Sequence, residues 1–159
     1  MGKGYDKVGM AIFNLHGSPT SIDYVNINNL DSKNIDTLIL LSCNAAHQDD
    51  NNIAYQFYKN NNIFQVIGAD GTVYVKRRGI FNKKVKYEAE DDDYWDNYRK
   101  AVGAPEREHV GFVRYSKIEG DIPTPIGAEF DNIIDLIDAI KTTPYRVNND
   151  LYLGDINLA

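Results

Sequence analysis

Short apolar runs that end in polar turns organise the first half of the chain. Residues 8–15 (VGMAIFNL) and 37–42 (TLILLS) each have the composition of a buried strand, and the second run is continuously apolar, as in a strand covered on both faces. Asp49 and Asp50 are expected to cap a helix with an apolar stripe, and residues 63–67 (IFQVI) predict a third strand. The order strand, loop, strand, helix, strand predicts a parallel sheet with crossover helices.

The second half of the chain carries different patterns. Alternation in 72–76 and 83–87 predicts a β-hairpin, residues 91–102 predict a helix, and residues 110–115 (VGFVRY) predict a further strand. Residues 22–27 alternate in part, as in a short excursion strand, and the tail from residue 147 has only a weak pattern. A last helix is indicated by an apolar stripe that consists of Phe130, Ile133, Ile134, Ile137 and Ile140.

Together these patterns predict one α/β domain over residues 1–159, with a mainly parallel central sheet flanked by helices and a β-hairpin insertion. The chain has 159 residues, of which 43% are hydrophobic and 25% charged, which suits a single domain with its own core. Its net charge of −6 argues against broad electrostatic binding to nucleic acid. No apolar run approaches the ~20 residues of a membrane-spanning helix, so we expect neither a nucleic-acid partner nor membrane insertion.

Two of the predicted strands end in reactive side chains. The run AIFNL is followed by His16 and Gly17, and the run LILLS is followed by Cys43, the single cysteine of the chain. Catalytic groups gather at the carboxyl ends of parallel strands, so neighbouring strands would bring both side chains to one rim. An adjacent imidazole raises the thiolate fraction of a thiol, and backbone amides near Gly17 and Cys43 would hold an oxyanion. The pattern predicts a nucleophile and base pair made of Cys43 and His16.

An apolar block followed by His-Gly, and a second one followed by Ser-Cys, resembles the caspase-like (clan CD) cysteine peptidase superfamily. The stretch LLSCNAAHQDDNNIAYQFYKNNNIFQVIGADGTVYV is similar to its toxin-associated, CHAT-like and self-cleaving toxin peptidase members, and the likeness covers roughly residues 8–76. The resemblance implies a caspase-like fold in which Cys43 is the nucleophile, His16 the general base, and the Gly17 amide part of the oxyanion hole. The candidate residues that line the site are Ser42, Asn44 and Asp70.

The two other histidines have weaker claims to the site. His47 follows Cys43 by four residues and is expected at the surface or beside the site. His109 begins the VGFVRY strand, which leaves open a Cys43–His109 pair in a papain-like layout. One cysteine and scattered histidines lack the spacing of metal ligands, so no metal and no other cofactor is expected.

Cationic residues crowd the predicted hairpin. Some toxin peptidases of the caspase-like superfamily are activated by an inositol polyphosphate at a basic hairpin, and the resemblance implies such an activator here. Acidic residues in 88–96 follow directly, so a solvated hairpin or a surface for partner docking remains the alternative. The candidate anion site consists of Lys76, Arg77, Arg78, Lys83 and Lys84.

The resemblance implies a cysteine endopeptidase, either a toxin effector or a self-processing domain, that cleaves a peptide bond through an acyl-enzyme. The partners it implies are a protein or peptide substrate and an immunity protein. We expect a C-terminal or excised domain of a larger secreted or translocated protein that acts in a reducing cytoplasm, which a single cysteine permits. Two alternatives stay open: a non-catalytic caspase-like domain for binding or assembly, and a Cys-His deamidase or acyltransferase.

Overall fold

A five-stranded mixed sheet forms the centre of the fold in a computed structural model that describes residues 9–17, 35–47, 52–78, 84–90, 97, 101, 111–147 and 150–152. In chain order the strands are β1 (Met10–Phe13), β2 (Thr37–Leu40), β3 (Gln65–Asp70), β4 (Thr72–Arg78), β5 (Lys84–Glu90), β6 (Gly111–Ser116), β7 (Gly120–Gly127), β8 (Glu129–Phe130), β9 (Tyr145–Val147) and β10 (Asp150–Tyr152). The helices are α1 (Ile53–Asn60) and α2 (Ile133–Thr142).

The central sheet has the strand order β1-β2-β3-β6-β7. The pairs β1–β2 and β2–β3 are parallel, whereas β3–β6 and β6–β7 are antiparallel. The α/β class is therefore confirmed, but the expectation of a mainly parallel sheet is wrong. The reason is that β6 is buried along its whole length, as a central parallel strand would be, although the chain enters it from the opposite end.

The two faces of this sheet hold separate apolar clusters. Because side chains alternate along a strand, Leu38 and Leu40 of β2 pack with α1 on one face, while Ile39 and Leu41 pack with α2 on the other. Each helix is capped by an asparagine, Asn52 for α1 and Asn132 for α2. The side-chain oxygen of each asparagine accepts a hydrogen bond from the backbone amide three residues later. The cap of α1 is thus Asn52, not Asp49 or Asp50. The result is two helices on opposite faces of one sheet.

A second sheet begins directly after β3 of the central sheet. Gly71, with a positive φ of 136°, separates β3 from β4, and β4 and β5 pair along their whole length, which confirms the predicted hairpin. The short strand β8 adds to β5 and makes three strands in the order β4-β5-β8. Phe130 therefore lies in β8 rather than in the predicted helix, whose remaining apolar stripe falls within α2.

Several predicted elements meet the structure only in part. Of the predicted helix 91–102 the structure describes Asn97 and Ala101, both helical, and the predicted strand 22–27 lies outside the described residues. The weakly patterned tail forms the antiparallel pair β9–β10. The edge strand β7 has no counterpart in the sequence prediction, because Pro123 and Pro125 within it are residues that break a strand pattern.

Candidate functional site

The carboxyl ends of β1, β2 and β3 form one rim, because these three strands are parallel neighbours. In the β1–β2 ladder Met10 pairs with Thr37 and Phe13 with Leu40, an offset of 27 residues. His16 and Cys43 are also 27 residues apart, and each follows the last residue of its strand by three positions. The two predicted site residues therefore hold equivalent positions at the ends of adjacent parallel strands.

At this rim Cys43 is half-buried and His16 is exposed. The Cys43 thiol donates to the backbone carbonyl of Val73 at the start of β4, with 4.0 Å between Sγ and O. Within the described ranges no hydrogen bond joins the His16 ring to the thiol. Gly17 is half-buried and makes an isolated β-bridge. The fold thus brings the predicted base and nucleophile to neighbouring strand ends, and the thiol is directed toward β4.

The turn from Cys43 to His47 is fastened to the end of β3 by its backbone. The Asn44 amide donates to the Gly71 carbonyl at 2.8 Å, and the Ala46 amide donates to the Ala69 carbonyl at 3.0 Å. The amides of Ala45 and His47 donate within the turn, to the carbonyls of Ser42 and Asn44. All four amides that follow Cys43 are therefore already engaged.

The residues on either side of Cys43 are buried polar residues. Ser42 and Asn44 are almost fully buried, and among the described residues neither the Ser42 hydroxyl nor the Asn44 carboxamide has a hydrogen-bond partner. Asn44 also has a left-handed backbone, with φ at 54°, a conformation that asparagine tolerates better than most residues. Asp70, the third candidate lining residue, is fully buried at the end of β3. In this conformation all three lie beneath the rim rather than on its surface.

Sequence reasoning missed the contact that joins this turn to β3 through side chains. His47 Nδ1 lies 3.1 Å from Asp70 Oδ1, and the two side chains are 5% and 0% exposed. The expectation that His47 lies at the surface is therefore wrong. A usable signal existed: Asp70 ends the third strand of the rim, as Cys43 follows the second, so both belong to the same edge of the sheet.

The candidate anion site falls on the second sheet. Lys76, Arg77 and Arg78 are in β4 and Lys84 is in β5, while Lys83 lies outside the described residues. In the backbone register of the hairpin Lys76 pairs with Lys86 and Arg78 with Lys84.

The structure adds no support for the remaining candidate residues and site types. His109, the base of the papain-like alternative, lies outside the described residues. In the part of the chain that the structure describes, no group of three or more His, Cys, Asp or Glu side chains could hold a metal ion. No helix there is both long enough and apolar enough to cross a membrane.

Comparison with known proteins returns no relative of this chain. It matches no family model, no curated protein and no solved structure.

Proposed function

We propose that this chain is a cysteine endopeptidase domain of caspase-like type in which Cys43 is the nucleophile and His16 is the general base. One observation carries the proposal: the two residues occupy equivalent positions beyond the ends of adjacent parallel strands, with the same 27-residue offset as the ladder itself. Neighbouring strands lie about 4.8 Å apart within the ladder, which ends at Phe13 and Leu40, so both residues continue from the same end of the sheet. The exposure of His16 and the half-exposure of Cys43 leave both accessible to a substrate.

The proposed reaction needs only these two side chains, oxyanion donors and water. His16 takes the Cys43 proton, the thiolate attacks the peptide carbonyl carbon, and a C–S bond forms as the carbonyl oxygen becomes an oxyanion. Collapse of this intermediate breaks the C–N bond, and the His16 imidazolium protonates the departing amine. Water activated by His16 then attacks the thioester, which breaks the C–S bond, releases the carboxylic acid product and restores the thiol.

The candidates for the oxyanion hole are limited by the backbone amides that already donate hydrogen bonds within the protein. Because the amides of residues 44–47 donate within the protein, the turn after Cys43 offers none of them to a substrate. The proposed donor is the Gly17 amide, on the His16 side of the rim, because the Asn44 carboxamide is fully buried beneath it. Removal of one such donor typically lowers a turnover rate by about 10²–10³-fold.

The same proposal includes the setting implied by the resemblance. The proposed substrate is a protein or peptide. The domain is proposed to belong to a larger secreted or translocated toxin that acts in a reducing cytoplasm, and an immunity protein is its proposed inhibitor. The β4–β5 hairpin is the proposed place for a polyphosphate activator, since Lys76, Arg77, Arg78 and Lys84 of the candidate anion site lie in its two strands.

A second candidate function is a non-catalytic binding domain on the same scaffold. The hydrogen bond from the Cys43 thiol to the Val73 carbonyl favours it, because a thiol held in that way is directed away from a base. In that case His16 and Cys43 would be neighbours without chemical coupling.

The deciding experiment is the alkylation rate of Cys43 by iodoacetamide as a function of pH, in the native protein and in His16→Ala. Cys43 is the single cysteine, so one mass shift reports one site. We expect iodoacetamide to alkylate Cys43 about tenfold faster at pH 7 in the native protein than in His16→Ala, because an adjacent imidazole raises the thiolate fraction.

His109→Ala is the matched control, because it removes the base of the papain-like alternative and leaves His16 intact. If only His109→Ala changes the profile, the base is His109. If Cys43 reacts only after unfolding, or ignores both histidines, with and without added inositol hexakisphosphate, the peptidase proposal fails and the binding function takes its place.

A further inference from the structure

Packing alone does not explain the buried pair His47–Asp70, because two apolar residues of similar size could fill the same place in the core. Both side chains are buried, and a buried charged or polar pair is no more stabilising than well-packed apolar residues of the same size. The turn that carries His47 already packs closely on β3, where Ala46 and Ala54 crowd Gly68. A polar contact in so tight a place calls for a role other than packing.

The position of the pair indicates that role. Three successive residues at the end of β3 hold the turn: the Ala69 carbonyl accepts from Ala46, the Asp70 carboxylate contacts His47, and the Gly71 carbonyl accepts from Asn44. Cys43 is the next residue outward from the last of these anchors. The direction of its thiol is thus set by how firmly the turn is attached to β3.

Among the side chains of this turn, that of His47 reaches the end of β3, with 3.1 Å between Nδ1 and Asp70 Oδ1. Within the described residues the Ser42 hydroxyl and the Asn44 carboxamide have no hydrogen-bond partner, so they do not help to hold the turn. The Cys43 thiol makes only a 4.0 Å contact with the Val73 carbonyl. If the His47–Asp70 contact is lost, the attachment of the turn to β3 is weakened, while the backbone hydrogen bonds of Asn44 and Ala46 remain.

We infer that His47 and Asp70 are positioning residues, which fix the turn from Cys43 to His47 on β3 and thereby hold the Cys43 thiol where the His16 imidazole can act on it. This inference rests on the proposed Cys43–His16 chemistry and adds a second histidine to it in a different role. His47 is buried behind the thiol, so it acts through the backbone of its own turn and not on the substrate.

The test is a double-mutant cycle on the alkylation rate of Cys43 at pH 7, with iodoacetamide as the probe. The factor by which His16→Ala slows alkylation is measured in the unmodified chain, in His47→Leu and in His47→Asn. Leucine removes the ring nitrogen, whereas the asparagine amide nitrogen stands about as far along the side chain as Nδ1 and still donates to Asp70. Ile140→Val, a buried change on the α2 face, controls for lost stability at a distance from the rim.

We expect His16→Ala to slow alkylation by about tenfold in the unmodified chain, in Ile140→Val and in His47→Asn, and by less than about threefold in His47→Leu. Should His47→Leu fail to fold, Asp70→Asn takes its place, since it weakens the same contact with little change in size.

Each other outcome decides against the inference in a distinct way. A His16→Ala factor that stays the same in every background overturns the positioning role and leaves the proposed function intact. A factor that falls equally in His47→Leu and His47→Asn shows that the hydrogen bond to Asp70 is not what matters. No effect of His16→Ala in the unmodified chain removes the proposed function, and the positioning role with it.

Discussion

At the scale of single residues, Asn44 stands out because two costs coincide there. Its backbone is left-handed, with φ at 54°, and its carboxamide is buried without a hydrogen-bond partner. An unsatisfied buried polar group costs about 1–3 kcal/mol, and a strained backbone adds to that cost. Such costs concentrate at functional sites, and this one adjoins the only cysteine of the chain.

We therefore expect Asn44→Gly to stabilise the protein by about 1 kcal/mol. Glycine adopts a left-handed backbone without strain and removes the unpaired carboxamide, while its greater freedom in the unfolded chain offsets part of the gain. The measurement is the free energy of unfolding from urea titration. Asn61→Gly is the control, because Asn61 has φ at −125° and its side chain donates to the Phe57 carbonyl, so the same substitution should destabilise. Destabilisation of both variants would show that Asn44 has a partner after all.

At the scale of elements, the local sequence pattern was sufficient to predict that a strand or helix is present, but not to predict the direction in which a strand runs in the sheet. The strands around residues 37–42 and 110–115, the hairpin of β4 and β5, and helix α2 were all predictable from the alternation or continuity of apolar residues. The antiparallel entry of β6 was not, since a strand buried on both faces has no mark of direction. The cap Asn52 was overlooked because the aspartates before it have the same capping propensity.

The junction of three elements at Gly68 gives a prediction at this scale. A Cβ on Gly68 of β3 would lie 2.9 Å from the Ala46 Cβ in the turn and 3.1 Å from the Ala54 Cβ in α1. Gly68→Ala must therefore push the turn and the helix away from β3, and we expect a loss of about 1–3 kcal/mol in the free energy of unfolding.

A compensating change makes this test specific. Ala46→Gly removes the nearer of the two methyl groups, so the double variant Gly68→Ala/Ala46→Gly should recover part of the stability that Gly68→Ala loses. Urea unfolding of the three variants measures the coupling. If the two changes are simply additive, the turn does not pack on β3 at Gly68.

At the scale of the whole molecule, the two ends of the central sheet carry different kinds of polar group. The rim at the carboxyl end of β3 holds Cys43, His16 and the His47–Asp70 pair. The rule that reactive residues gather at strand ends predicted Cys43 and His16 at one rim, and the structure places both beyond the ends of neighbouring strands. The same rule places Asp70 at this rim, but it does not give the contact with His47, which forms only when the turn folds back onto β3.

The opposite end of the sheet is centred on a fully buried arginine. Arg114 of β6 forms a bidentate pair with Glu119, at 2.9 and 3.2 Å, and donates to the carbonyls of Ile140, Thr143 and Pro144 at the end of α2. Its guanidinium also stacks on the Tyr145 ring, 3.9 Å from the ring centre. One side chain thus ties together the sheet, the turn between β6 and β7, the end of α2 and the start of β9.

Because Arg114 and Cys43 serve opposite ends of the sheet, we predict that Arg114 affects the stability of the protein and not the reactivity of the Cys43 thiol. Arg114→Met leaves the Glu119 carboxylate, which is 2% exposed, buried without its cation, and breaking a buried ion pair in this way costs about 3–5 kcal/mol. The double variant Arg114→Met/Glu119→Gln also removes the charge that Arg114 compensated, so urea unfolding should show part of the loss restored. Because β6 runs antiparallel to β3, the turn that carries Glu119 lies at the end of the sheet away from Cys43. The pH profile of Cys43 alkylation in the folded fraction should therefore match that of the unmodified chain, and a shifted profile would mean that the two ends are coupled through the sheet.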